Sequence, residues 1–309
     1  MPIRIFLNPN CNYGRGLSRW QKIKDKLQSK IGKFEVEEII SPEKMPFQIN
    51  QAFNHGEKMF IAAGGDGTVN LLLNGLIASG IDIKNTVIGA VGLGSSNDFH
   101  KPFKIESFIE QIPVKLDFDR AAPRDIIQVN YQASSGETST RYCLLNCGIG
   151  LTAEGNAIFN ARKKLIIKLQ KISVDAAIMV SALTAIFTFK NIICSLKIDN
   201  EKEQKIRVSN LGVIKNPHFT GSLCYDTPIQ LDDGKLGVNV LINLSLLERI
   251  RALIDLSNHR FQGRPKTKCW LANSLSVRSD NNFSLEIDGE VIKTNSVEFK
   301  LIPKAVRCC

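Results

Sequence analysis

Residues 62–76 read "AAGGDGTVNLLLNGL": three glycines surround one aspartate, after the apolar "MFI" and before a leucine-rich run. Such an order is the pattern of a strand, a tight corner and a core-packed helix. Gly64, Gly65 and Gly67 are expected to open backbone angles closed to other residues and to let main-chain N–H groups approach a ligand. Ahead of a helix N-terminus, those N–H groups and the helix dipole favour a phosphate. Thr68 adds a hydroxyl, and Asp66 suits a phosphate site only with a cation between, which suggests a Mg²⁺-associated carboxylate. A plain Gly-Asp-Gly turn explains the same letters without a ligand. The corner has no Walker A lysine and does not read G-x-G-x-x-G, so two familiar nucleotide loops are set aside. On a helical wheel Val69, Leu72, Leu73 and Leu76 form one stripe, with Leu71 on the opposite face.

Around this corner the first 120 residues alternate short apolar strands with helical patterns. "IRIFL", "FEVEEII", "MFIAA" and "TVIGAV" read as strands, and residues near Ser18 to Ile31 read as a helix. Strands separated by helices predict a mainly parallel α/β sheet covered on both faces. Ligands in such sheets sit beyond the carboxyl ends of the strands. Three loops fall there: "NPNCNYGRG", "GGDGT" and "GLGSSND". In the last of these, Ser95, Ser96 and Asn97 offer short polar groups to phosphate or ribose, or cap a helix. Asp98 either orients a metal-bound water or pairs with a local lysine.

After "AAPRD" (121–125) the texture turns to strands. "IIQVNYQ", the polar turn "ASSGETST" and "RYCLLNCGIG" predict a hairpin-like pair, and "IICSLKID", "IRVSNLGVI", "LGVNVLIN", "KCWLANSLSVRS" and "FSLEIDGE" add more. The expected organisation is an α/β domain over 1–123 and a β-rich domain over 124–298, with the tail 299–309 free to pack back on the first. The apolar segment 172–189 holds Asp175 and four hydroxyl residues, and its charge-free part is shorter than a membrane span. It predicts a buried helix, one that can also line an apolar substrate slot.

The chain of 309 residues carries a formal net charge of +10, which favours an anionic partner. No zinc-finger spacing or RNA-recognition signature occurs, so nucleic acid is not expected. The 8 cysteines include no Cys-x-x-Cys pair, which argues against a zinc or redox centre and for a reducing cytoplasm. The N-terminus lacks the pattern of a secretory signal.

"GGDGTVNLLLNGL" and "GLGSSNDFHK" together resemble the paired motifs of the diacylglycerol kinase catalytic family, which includes bacterial lipid kinases and sphingosine kinases. "NPN" after the first strand, "LDDGKLGV" and "IDGE" match the same family in the same order, from Asn8 to Glu290. The GGDGT element alone is shared with phosphofructokinases and NAD kinases; the SND and DGE elements add the specificity. The resemblance implies an N-terminal nucleotide-binding α/β domain, a C-terminal β-sandwich domain and an active cleft between them. It implies ATP at Asn8, at Gly64, Gly65, Asp66, Gly67, Thr68 and Asn70, and at Ser95 and Asn97, with Ser41 where the family often has a nucleotide-contacting threonine. Glu290 falls on the general base, with Asp66 beside it in the catalytic set. "QLDDGK" falls on a structural Mg²⁺ site, with Asp233 as side-chain ligand and the carbonyls of Gln230 and Lys235 completing it. Three positions depart from the family: Leu71 where glutamate is common, Gly92 where proline is usual and Cys11 where serine is usual.

The implied activity is ATP-dependent phosphorylation of diacylglycerol or a related lipid alcohol, in lipid metabolism. The enzyme would be cytoplasmic and peripherally held at an anionic membrane surface by basic runs such as "ARKKLIIKLQK" (161–171). A homodimer is left open. Two other readings stand beside this one: a soluble NAD-kinase-like phosphotransferase, which shares the glycine corner, and a catalytically silent lipid- or nucleotide-binding protein, which Leu71 would fit.

Overall fold

The computed structural model describes residues 2–101, 107–133, 136–161, 166, 169 and 173–309. Most of the basic run 161–171 and the side chain of Asp175 lie outside what is described. The chain divides into two compact units, Met1–Ile126 with Pro303–Cys309, and Ile127–Ile302.

The first unit is built on β1 (Ile3–Leu7), α1 (Gly16–Ile31), β2 (Glu35–Glu38), α2 (Met45–Asn54), β3 (Met59–Gly64), α3 (Asp66–Ala78) and β4 (Val87–Gly92). The four strands pair in parallel in the order β2, β1, β3, β4. β3 and β4 are buried almost throughout, as strands covered by helices on both faces must be. β2, "EVEE", lies at the edge, where its glutamates discourage pairing with other chains. Two short strands, β5 (Ser107–Ile109) and β6 (Ile112–Lys115), add an antiparallel margin along β4. The last strand of the chain returns to this sheet, pairing Cys308 with Ile88 in parallel.

Val69, Leu72, Leu73 and Leu76 of α3 are all buried, the last three completely. Full burial of each such side chain is worth about 1.5–3 kcal/mol. The apolar half of the opening pattern is therefore the helix's attachment to its sheet.

The second unit is a β structure to which helices are added. Its strands are β7 (Ala122–Gln132), β8 (Thr138–Cys143), β9 (Asn146–Gly150), β10 (Ile192–Ile198), β11 (Gln204–Ile214), β12 (His218–Phe219), β13 (Leu223–Cys224), β14 (Leu236–Ile242), β15 (Thr267–Ala272), β16 (Ser274–Ile287) and β17 (Glu290–Cys308). β7 and β8 form the expected antiparallel hairpin, but "RYCLLNCGIG" breaks at Leu144–Leu145 rather than running on as one strand. The first halves of β11 and β16 pair with β10 and their second halves pair with β9. Register shifts after Val208 and Arg278 mark where each long strand changes partner, as strands shared between two layers require. The layers enclose an apolar core that includes Ile149, Val213, Val238, Leu275, Leu285 and Phe299.

The helices described in this unit include α4 (Leu151–Asn160), α5 (Val174–Thr188) and α6 (Leu246–Ser257). α5 falls in the apolar segment 172–189. α6 has no counterpart among the sequence expectations above, although Ser245 and Glu248 form a full capping box at its start. Among the described residues no helix is long and apolar enough to cross a membrane.

Candidate functional site

In the first unit the carboxyl ends of β1, β3 and β4 bring Asn8, the 64–70 corner and the 92–98 loop together. Asn8 Nδ2 donates to Thr68 Oγ1 at 3.3 Å, and Asn8 Oδ1 accepts from the Asn10 N–H at 3.1 Å. Leu93 and Gly94 donate their N–H groups to the Gly64 carbonyl at 2.8 and 3.2 Å. Asp66, in the first turn of α3, accepts the Phe99 N–H through Oδ1 at 2.9 Å. The aspartate of the corner thus ties the two loops together.

The glycines serve close approach rather than unusual backbone angles. None of Gly64, Gly65 and Gly67 has positive φ, which corrects the expectation from sequence. A Cβ on Gly64 would lie 2.1 Å from Thr68 Oγ1, and one on Gly94 would lie 2.5 Å from the Gly65 Cα. Two backbones touch here, and no side chain fits between them. A Cβ on Gly67 would meet nothing within 4 Å.

Ser95 is exposed at the loop tip, while Asn97 folds inward with φ 51°. Asn97 Nδ2 donates to the carbonyls of Gly92 and Gly94 at 3.1 and 3.2 Å, and its Oδ1 is buried without a hydrogen-bond partner. Asp98 accepts from Ser96 Oγ at 2.7 Å and pairs with Lys101, so the local lysine is its partner. Asn70 accepts from Asn74 Nδ2 one turn along α3. Ser41 follows β2 at the start of a short 3-10 turn, two residues beyond the Ile39 N–H bond to Leu7. Arg19 was not singled out from sequence; its guanidinium reaches the Gly92 carbonyl at 3.4 Å, which puts a cation beside the loops.

His100 closes this loop and is 5% exposed. Burial, helped by the Lys115 ammonium, lowers its pKa to about 3. The folded state keeps the ring neutral, whereas the unfolded chain takes a proton near pH 6.5. The unfolded state binds more protons below that pH, so stability is full above it and falls as pH drops toward the folded value. Between pH 7 and 5 the wild type should lose about 2 kcal/mol more than His100→Gln. Equal losses, measured by denaturation of both proteins at the two pH values, would contradict this.

In the second unit, Glu290 opens β17 after the turn Asp288-Gly289, whose φ values of 45° and 93° are those of a tight hairpin. The Asp288 carboxylate is buried and accepts the N–H groups of Leu144, Leu145 and Asn146 at 2.9, 3.1 and 3.0 Å. Asp288 explains the break between β8 and β9: the chain there wraps its amides around one carboxylate. Glu290 stands beyond this anchor, half-exposed and paired with Arg141. Asn160 Nδ2 holds the Gly289 carbonyl at 3.1 Å.

Helices α4, α5 and α6 border a pocket of about 80 Å³ lined by Leu151, Phe159, Ile178, Ala182, Ile186 and Leu253, among others. Its polar margin includes Asn210, which takes the N–H and hydroxyl of Thr152, each at 2.9 Å. Arg249 closes one end, donating to the Ile186 and Phe189 carbonyls at 2.9 and 2.8 Å and so capping α5. Outside the pocket, Met179, Leu183 and Phe187 form an exposed apolar stripe along α5.

Gln230, Asp233 and Lys235 gather in one turn before β14. Asp233 Oδ2 accepts the Gln230 N–H at 2.8 Å and Oδ1 accepts the Lys235 N–H at 3.0 Å. Burial raises the Asp233 pKa, but hydrogen bonds from Lys215 and the two amides outweigh it, and the net shift is downward. Among the described residues no three His, Cys, Asp or Glu side chains converge as a metal site.

A phosphate-type loop on a parallel α/β sheet and a β unit with an apolar helical pocket match the two-domain architecture that the sequence resemblance implies. The model of the diacylglycerol kinase catalytic domain matches residues 2–129, and that of the YegS C-terminal NAD kinase β-sandwich-like domain matches residues 150–309. The chain belongs to this family of lipid kinases. It is 25% identical over 264 residues to a Yersinia enterocolitica protein named "Probable lipid kinase YegS-like", covering 84% of this chain and 81% of that one. A solved diacylglycerol kinase from Bacillus anthracis superposes with a TM-score of 0.69 at 14% identity, covering 99% of this chain and 96% of that one. At that identity the likeness is one of fold.

Proposed function

We propose that the protein transfers the γ-phosphoryl group of ATP to the hydroxyl of diacylglycerol or a closely related lipid alcohol. The observation that carries this reading is the pocket under α4, α5 and α6: its lining is almost wholly apolar, which suits an acyl chain better than a polar acceptor. The glycine corner supplies the other half, amides and a helix N-terminus for the triphosphate.

Phosphoryl transfer passes through a loose transition state, so positioning and charge neutralisation dominate. The tightly spaced loops at 64–68 and 92–98 hold the nucleotide in one orientation. Ser95 and Asn97 offer polar groups to it, Ser41 lies at the same strand edge, and Arg19 adds positive charge. Mg²⁺ bound with the nucleotide would offset phosphate charge, and the oxygens of Asp66, Thr68 and Asn70 near the start of α3 are hard donors that would hold it. Glu290 takes the proton of the attacking hydroxyl. Asp288 keeps Glu290 in place by fixing the turn from which it projects.

The stripe Met179, Leu183 and Phe187 supports peripheral contact with a bilayer, and the net charge of +10 supports an anionic one.

Filling the pocket tests the reading. Ala182→Trp should lower kcat/KM for diacylglycerol by about tenfold or more and leave the Kd for ATP unchanged. Unchanged lipid kinetics in a folded variant would remove the pocket from substrate binding.

A further inference from the structure

The turn 230–235 lies where the family resemblance implies a structural Mg²⁺, and one residue of this chain stands in the way. Lys215, at the end of β11, has a side chain only 1% exposed. Its Nζ donates to Asp233 Oδ1 at 2.7 Å and to the Lys235 carbonyl at 2.9 Å. These are two of the oxygens that would ligate the ion. The rest of the Asp233 carboxylate is taken by the Gln230 and Lys235 amides.

A buried ammonium must be paired and hydrogen-bonded, and this one is placed to be. A divalent ion bound to the same oxygens needs contacts of about 2.0–2.1 Å. It would have to share them with the ammonium, on a carboxylate with only 22% of its side chain exposed and against a like charge. The residues present do not fit both cations. Lys215 is anchored on the strand, with its N–H on the Leu145 carbonyl at 2.8 Å, and has little room to withdraw.

We propose that the Lys215 ammonium replaces the structural metal, so that the turn 230–235 is held by a cation built into the chain. The divalent ion needed for phosphoryl transfer is then confined to the nucleotide. The inference rests on the Lys215 geometry and stands whichever acceptor the enzyme uses.

Melting the nucleotide-free full chain in MgCl₂ and in EDTA tests it. The expected result is the same Tm in both, within about 1 °C, and a Tm lowered by several degrees in Lys215→Met, as loss of the ammonium that bonds two oxygens of the turn predicts. A wild-type Tm that falls in EDTA and is restored by MgCl₂ would overturn the proposal, as would a Lys215→Met protein that melts like the wild type. Where that variant does not fold, calorimetric titration of the wild type with MgCl₂ decides: no heat from a site near Asp233 is expected. Saturable Mg²⁺ binding that Asp233→Asn abolishes would overturn the proposal.

Discussion

Glu290→Gln should lower turnover by about 10²–10⁴-fold, the usual worth of general-base assistance, with little change in melting temperature. Fold and chemistry separate cleanly at this turn. The buried carboxylate of Asp288 satisfies three amides, whereas Glu290 projects beyond it, half-exposed, with Arg141 as its partner. Glutamine keeps the size of the side chain and an acceptor toward Arg141, and removes the charge and with it the ability to take a proton. The measurement is kcat with saturating ATP and lipid, alongside a thermal melt. A folded variant with wild-type kcat would remove Glu290 from the mechanism.

The second large effect is expected at Gly94. Its Cβ would lie 2.5 Å from the Gly65 Cα, a backbone atom that cannot turn aside. Gly94→Ala must therefore part the two loops, which also share the Gly64 carbonyl through the N–H groups of Leu93 and Gly94. A misplacement of about an ångström costs about 10²-fold in kcat/KM. Gly67→Ala provides the contrast. Nothing lies within 4 Å of its added methyl, so the free protein should melt as the wild type does while ATP binding weakens. Wild-type kcat/KM in Gly94→Ala would show that the contact between the loops does not position the nucleotide.

What could be read from sequence was what depends on local pattern. Val69, Leu72, Leu73 and Leu76 repeat at helical spacing because one face of α3 meets the sheet, and all four are buried. The continuous apolar runs of β3 and β4 marked central parallel strands for the same reason. Asp-Gly at 288–289 announced a hairpin, and both residues have positive φ. The glycine corner was found by its letters, but positive backbone angles were the wrong half of its explanation, and the contact of Gly65 with Gly94, some thirty residues away, had no local signal. Asp288 looked like turn chemistry alone, since its three amide donors come from more than 140 residues earlier. Lys215 carried no signal at all: a lysine at a strand end is ordinarily solvated, and only the fold delivers the Asp233 carboxylate to it. The helix α6 went unread although its capping box at Ser245 and Glu248 was a local signal for it, and its role as a wall of the pocket had none.

The most direct test of lipid phosphorylation is to supply γ-labelled ATP and diacylglycerol in anionic mixed micelles and follow the label. The account predicts label in the phosphorylated lipid, dependent on the micelle and on Glu290. Label passing to NAD instead, or none passing to any lipid alcohol from a protein that binds ATP, would contradict it.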